Sequence, residues 1–76
     1  MNAYQKRNGI MRSIERRNYI AVDDEMNGVI TIKACAYGMT FAFAKVNVET
    51  VETQFYVVLG RGYREVSRQT FLKRLY

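Results

Sequence analysis

The chain has 76 residues, 49% of them hydrophobic and 25% charged, with a net charge of +5, no histidine and a single cysteine. That is enough chain for one domain spanning residues 1–76, and it excludes an intrachain disulfide, a Cys/His zinc site and any mechanism that turns on a histidine base. The charge is uneven: Met1 to Asn18 carries five basic residues and Glu15, Tyr19 to Gly60 two basic against five acidic residues, and Arg61 to Tyr76 again five basic residues and Glu65.

Asn2 to Arg17 sets Tyr4, Arg7, Met11 and Ile14 at spacings of three and four, with Ile10 beside them, which predicts an amphipathic helix. Asn2 is its candidate cap. Asn8 and Gly9 are poor in a helix interior and allow a later start near Asn8, while Asn18 offers the left-handed residue that commonly ends a helix. No apolar h-region follows the basic residues, so no secretory signal is expected. The longest uncharged stretch, the eleven residues Ala34 to Ala44, falls short of the roughly 20 that a membrane helix needs. A cytoplasmic address is therefore expected.

From Tyr19 onward, short runs of valine, isoleucine, threonine and aromatics alternate with turn residues, the pattern of antiparallel strands. Strands are predicted at Tyr19 to Asp23, Val29 to Tyr37, Thr40 to Val48, Thr53 to Leu59 and Tyr63 to Val66. Asn27-Gly28, Gly38 and Gly60 with Gly62 supply the turns. Connections this short favour a meander. Ser67 then caps a short helix to Tyr76 that sets Phe71, Leu72 and Leu75 on one side and Arg68, Lys73 and Arg74 on the other. The fold class is α+β: an N-terminal helix, a four- to five-stranded antiparallel meander and a C-terminal helix, with the helices expected on one face of the sheet.

Alternation along the central hairpin predicts two unlike faces. Ile30, Ile32, Ala34, Ala36, Ala42, Ala44, Val46 and Val48 form a small apolar face suited to packing helices. Lys33, Cys35, Tyr37, Phe41, Phe43 and Lys45 form the other, a mixture that could stack bases and hold phosphates, although Phe41 and Phe43 are expected to be core residues covered by a helix or a second subunit.

Sites for chemistry are scarce. Asp23, Glu25, Asn27 and Gly28 imitate the opening of a calcium loop, but Ala34 stands where the closing glutamate belongs, so a plain hairpin turn is the reading. Cys35, inside a predicted strand between two alanines, is expected to be a small core thiol rather than a nucleophile. The acidic pairs Asp23/Asp24 and Glu49/Glu52 lie near turns, where carboxylates are usually solvated. No enzyme, metal or cofactor is expected. Leu59-Gly60-Arg61-Gly62-Tyr63-Arg64 lacks the rest of a phosphate-binding loop and reads as a tight hairpin that holds arginines outward, where their planar forks suit carboxylates and phosphates. Arg61, Tyr63, Arg64 and Arg68 are the expected partner-binding residues.

In its size, its α+β make-up, its single domain and its lack of catalytic residues, the whole chain resembles the small accessory proteins of bacteriophages and mobile elements, anti-CRISPR proteins among them. The resemblance implies a non-enzymatic binding protein of the host cytoplasm that inhibits or redirects a host protein or nucleoprotein complex. Many such inhibitors imitate nucleic acid with an acidic surface; this chain, basic at both ends, instead suits an acidic protein surface or a nucleoprotein complex. The alternative is a small basic nucleic-acid-binding regulator, whose binding would be weak and sequence-independent in the absence of a recognition motif. Self-association is also expected, because an open sheet in so small a domain leaves edges and apolar surface uncovered.

Overall fold

The computed structural model describes residues Met1 to Tyr76. Helix α1 (Ala3–Glu15) leads into five strands, β1 (Ile20–Met26), β2 (Val29–Ala36), β3 (Met39–Asn47), β4 (Thr53–Leu59) and β5 (Gly62–Val66), and helix α2 (Arg68–Arg74) follows. The strands form one antiparallel sheet in the order β1-β2-β3-β4-β5. No helix is long and apolar enough to cross a membrane.

Local chemistry starts and stops each element. The Asn2 side chain accepts a hydrogen bond from the Gln5 amide at 2.9 Å, and the Gln5 side chain accepts one from the Asn2 amide, so α1 opens on a reciprocal capping box. The helix therefore begins at once and runs through Asn8 and Gly9 rather than starting there. Asn18, at φ 64°, takes the left-handed position just beyond the helix. The β1–β2 turn is Asn27-Gly28, with φ 53° and 76°, the two positive values that a two-residue type I′ hairpin requires. The same pattern recurs at Tyr37-Gly38, with φ 54° and 71°. In the β3–β4 connection, the Asn47 side-chain oxygen accepts from the amides of Glu49 and Thr50 and holds the loop closed.

Strand alternation builds the core. Ile30, Ile32 and Ala34 of β2 stand in register with Val46, Ala44 and Ala42 of β3, and Ala44 and Ala42 with Phe55 and Val57 of β4; all eight are buried. Ile10 and Ile14 of α1, with Phe71 of α2 and Leu75 just beyond it, join them in one cluster. The three alanines leave room for backbones to approach, and the large residues fill the space so opened. Fully burying a side chain such as Phe71, Ile14 or Ile32 is worth about 1.5–3 kcal/mol each.

Three expectations change. The buried positions of α1 are Ala3, Ile10 and Ile14, whereas Tyr4 is exposed and Arg7 turns toward β1. Cys35 is half-buried, outside the core cluster, with its Sγ 3.6 Å from the Thr40 hydroxyl. Phe41 and Phe43 do not share a face. Ala34 pairs with Ala42 but Cys35 pairs with Thr40, which leaves Phe41 without an opposite number on β2. This is a β-bulge, and the extra residue resets the alternation: Phe41 packs against the core, and Phe43 stays on the other side.

Candidate functional site

Eight of the twelve basic residues lie on α1, α2 or the two positions after α1: Lys6, Arg7, Arg12, Arg16, Arg17, Arg68, Lys73 and Arg74, with Glu15 the one acid among them. The two basic ends of the chain thus converge in space. Lys6 and Arg12 of α1 and Arg68 of α2 line one open cleft of about 470 Å³ with Gln5, Gly9, Ile10 and Phe55, and no carboxylate lines it. Other cations are occupied within the fold. The Arg7 guanidinium donates to Asp23 at 3.3 Å, Arg17 donates to the Ser13 carbonyl at 2.8 Å and lies 5.2 Å from the Tyr76 ring centre, and Arg74 donates to the Val58 carbonyl while covering Phe41.

The acids of β1 are held in turn. The Tyr4 hydroxyl donates to Glu25 at 2.9 Å beside the Arg7–Asp23 pair, so α1 fastens onto the edge strand through polar side chains. That hydrogen bond, with lesser help from desolvation and the Glu25 charge, raises the Tyr4 hydroxyl above its ordinary 10.0, while Arg7 pulls it the other way. With Asp23 and Glu25 so engaged, the stretch that imitates a calcium loop serves as a hairpin with a clamped edge.

The second surface is the side of the sheet opposite the core positions. Phe43 stacks on Tyr56 with ring centres 4.8 Å apart, and Tyr63 meets both edge-on at 5.2 and 5.6 Å. The Lys45 ammonium lies 5.8 Å from the Tyr56 ring centre. Desolvation, then the nearby Glu65 carboxylate and Tyr63, push the Tyr56 hydroxyl above 10.0. Ile20, Val22, Met26 and Tyr63 on this face are exposed.

The four residues singled out from the sequence divide between these surfaces. Arg61 sits in the exposed β4–β5 turn, after Gly60 at φ 55°. Tyr63 joins Phe43 and Tyr56. Arg64, the next residue, takes the opposite side of the strand, in register with buried Val57. Arg68 borders the cleft with Lys6 and Arg12. No sequence motif singles out Tyr56; its alternation with Gln54 and Val58 between two buried neighbours, Phe55 and Val57, is the signal that it faces away from the core.

Comparison with protein families, curated proteins and solved structures found no match to this chain.

Proposed function

We propose that the protein is a non-enzymatic binding protein that inhibits or redirects a larger host protein or nucleoprotein complex, in the manner of the phage accessory proteins of anti-CRISPR type that it resembles. One observation carries this reading: the convergence of both basic ends of the chain around a cleft that holds Lys6, Arg12 and Arg68 and no acid. In this reading the two helices cover one face of the sheet, as the core shared by Ile14, Ile32 and Phe71 supports, and form a basic docking surface to which Arg64 adds at the rim. Such a surface suits an acidic protein or the exposed phosphates of a nucleoprotein, and raises the rate of encounter with either.

The same cleft favours a second reading, a small basic regulator that binds nucleic acid alone. Capture from a bacterial lysate, with and without nuclease, separates the two. The parent chain should retain a protein partner after nuclease treatment, and the K6E/R12E/R68E variant should lose it. Recovery of the same proteins by parent and variant would overturn the docking surface, and recovery that vanishes with nuclease would replace the first reading by the second.

A further inference from the structure

We propose that the open face of the sheet binds single-stranded nucleic acid, stacking bases on Tyr63 and the Phe43–Tyr56 pair and holding phosphates with Lys33 and Lys45. Register lays these side chains next to one another. Lys33 of β2 stands beside Phe43 of β3, and Phe43 beside Tyr56 of β4, while Thr31, Lys45 and Gln54 form the next row of the same face. The ring centres of Phe43, Tyr56 and Tyr63 lie within 5.6 Å of one another, and Tyr63 is 64% exposed. Aromatic rings that a sheet turns toward water are platforms for bases, because every base has a π face.

Next to the rings the face opens into a cleft of about 430 Å³ that Asn27, Thr31, Lys45, Asn47, Glu52 and Gln54 help to line. Its free hydrogen-bonding groups are mostly donors. The Asn47 side-chain oxygen already accepts from the Glu49 and Thr50 amides, and the Gln54 oxygen from the Tyr56 hydroxyl, which leaves both side-chain NH2 groups without an acceptor in the fold. Lys45 joins cleft to rings, its ammonium 5.8 Å from the Tyr56 ring centre. Neither Lys45 nor Lys33 forms an ion pair; the one such pair of the fold is Arg7–Asp23. Amide NH2 and ammonium groups beside exposed rings complement a ligand that carries flat π surfaces and acceptors together, namely base carbonyls, ring nitrogens and phosphate oxygens.

Charge and shape narrow the occupant. Asp24 and Glu65, which share this face, stand on the edge strands β1 and β5, and Glu52 borders the cleft from the β3–β4 connection, so Lys33 and Lys45 mark a cationic track over the central strands. The exposed apolar residues Ile20, Val22 and Met26 lie on β1, parted from the rings by Lys33 and Thr31 of β2, and so give no uncharged apolar centre for a protein interface. A duplex hides the faces of its bases in its own stack, whereas a single strand offers them to the rings. The face shares no residue with the cleft at Lys6, Arg12 and Arg68, so this inference stands independently of the docking surface above.

Fluorescence anisotropy of labelled mixed-sequence oligonucleotides of about 12 nucleotides, one DNA and one RNA, tests this at near-physiological salt against the DNA duplex of the same sequence. The parent should bind at least one single strand, and the duplex about tenfold more weakly. Tyr63→Leu should weaken single-strand binding about tenfold and Tyr63→Phe should match the parent, while Lys33→Ala and Lys45→Ala should each make the slope of log affinity against log salt shallower by about 0.7. R12A/R68A should stay within about threefold of the parent, because charges off the track are screened. No single-strand binding at about 100 μM would overturn the proposal, as would equal affinity for the duplex, or a loss in R12A/R68A that Tyr63→Leu does not share. A free chain that sediments as a homodimer through this face, and that Tyr63→Leu returns to monomer, would overturn it too. Should Tyr63→Leu fail to fold by circular dichroism, the two lysine variants decide.

Discussion

Phe41 and Phe43 stand two residues apart on β3 yet serve opposite sides of the sheet. Phe41 meets Tyr19 edge-on at 5.5 Å and lies under the Arg74 guanidinium at 5.7 Å, against the core. Phe43 stacks on Tyr56 at 4.8 Å, on the open face. The bulge at Phe41 lets one strand contribute an aromatic ring to each side.

Phe41→Ala and Phe43→Ala should therefore differ in kind. The first removes a half-buried ring from the core margin and should lower the stability of the isolated chain by about 1–3 kcal/mol, read by urea denaturation at a concentration where the chain is monomeric. Under the same conditions the second should cost little beyond the roughly 0.5–1.5 kcal/mol of an aromatic pair, and should act mainly on single-strand binding at the open face. Equal losses from both substitutions would mean that the two rings share one environment.

Tyr37 is 94% exposed and holds φ 54°, a left-handed backbone that costs a residue with a β-carbon about 1–2 kcal/mol. Replacing it by asparagine, which visits that region readily and precedes glycine in favoured hairpin turns, should raise stability by about 0.5–1 kcal/mol. A denaturation midpoint unchanged or lowered by Tyr37→Asn would show that the exposed ring holds the turn through contacts of its own.

Tyr4 and Tyr56 both ionise above the ordinary 10.0 in the folded chain, Tyr4 chiefly because it donates to Glu25 and Tyr56 chiefly because it is desolvated. Their folded values exceed the unfolded one, so the stability they contribute is fully present below pH 10.0 and is lost as the pH rises through the folded values. Alkaline titration followed by tyrosinate absorbance should show a late component that Tyr4→Phe and Tyr56→Phe each reduce. An unchanged late component in both variants would contradict this.

The side chains of Arg61 and Arg64 are exposed and take part in no side-chain hydrogen bond or ion pair of the fold, so their double replacement by alanine should change stability by no more than about 0.5 kcal/mol. If they belong to the docking surface, the same variant should bind the captured partner more weakly. Phe71→Ala, which empties a fully buried site, should do the reverse and cost about 3–5 kcal/mol, enough to unfold much of so small a protein. Binding undiminished in the arginine variant would remove Arg61 and Arg64 from the surface.

Much of this architecture was legible because it rests on local rules. Alternation marked Ile30, Ile32, Ala34, Ala36, Ala42, Ala44, Val46 and Val48 as one apolar face, of which all but the half-buried Ala36 and Val48 are buried, and glycine and asparagine marked the turns. The bulge at Phe41 was not, because an extra residue in one strand leaves no mark in composition and appears only when its partner strand is in place. Tyr4 and Arg7 fell on an apolar stripe by spacing alone; their partners Glu25 and Asp23 lie 21 and 16 residues away, beyond any helical period. The basic ends were plain in the sequence, but their meeting at one cleft needed the five-stranded sheet between them to return the chain to α1.

The strictly sequential order of the strands also governs how the chain acquires its structure. Each strand finds its partner in the segment just made, so hairpins can close one after another as the polypeptide leaves the ribosome, with little loop entropy to overcome. The core cannot be sealed on that schedule. Phe71 and Leu75, which sit among Ile14 and Ile32, emerge only after every strand is out, so a nascent sheet carries an uncovered apolar face until α2 docks. Nascent chains stalled before residue 71 should thus be the form most exposed to chaperones and to aggregation, and release of residues 71–76 should end that exposure within a single docking step.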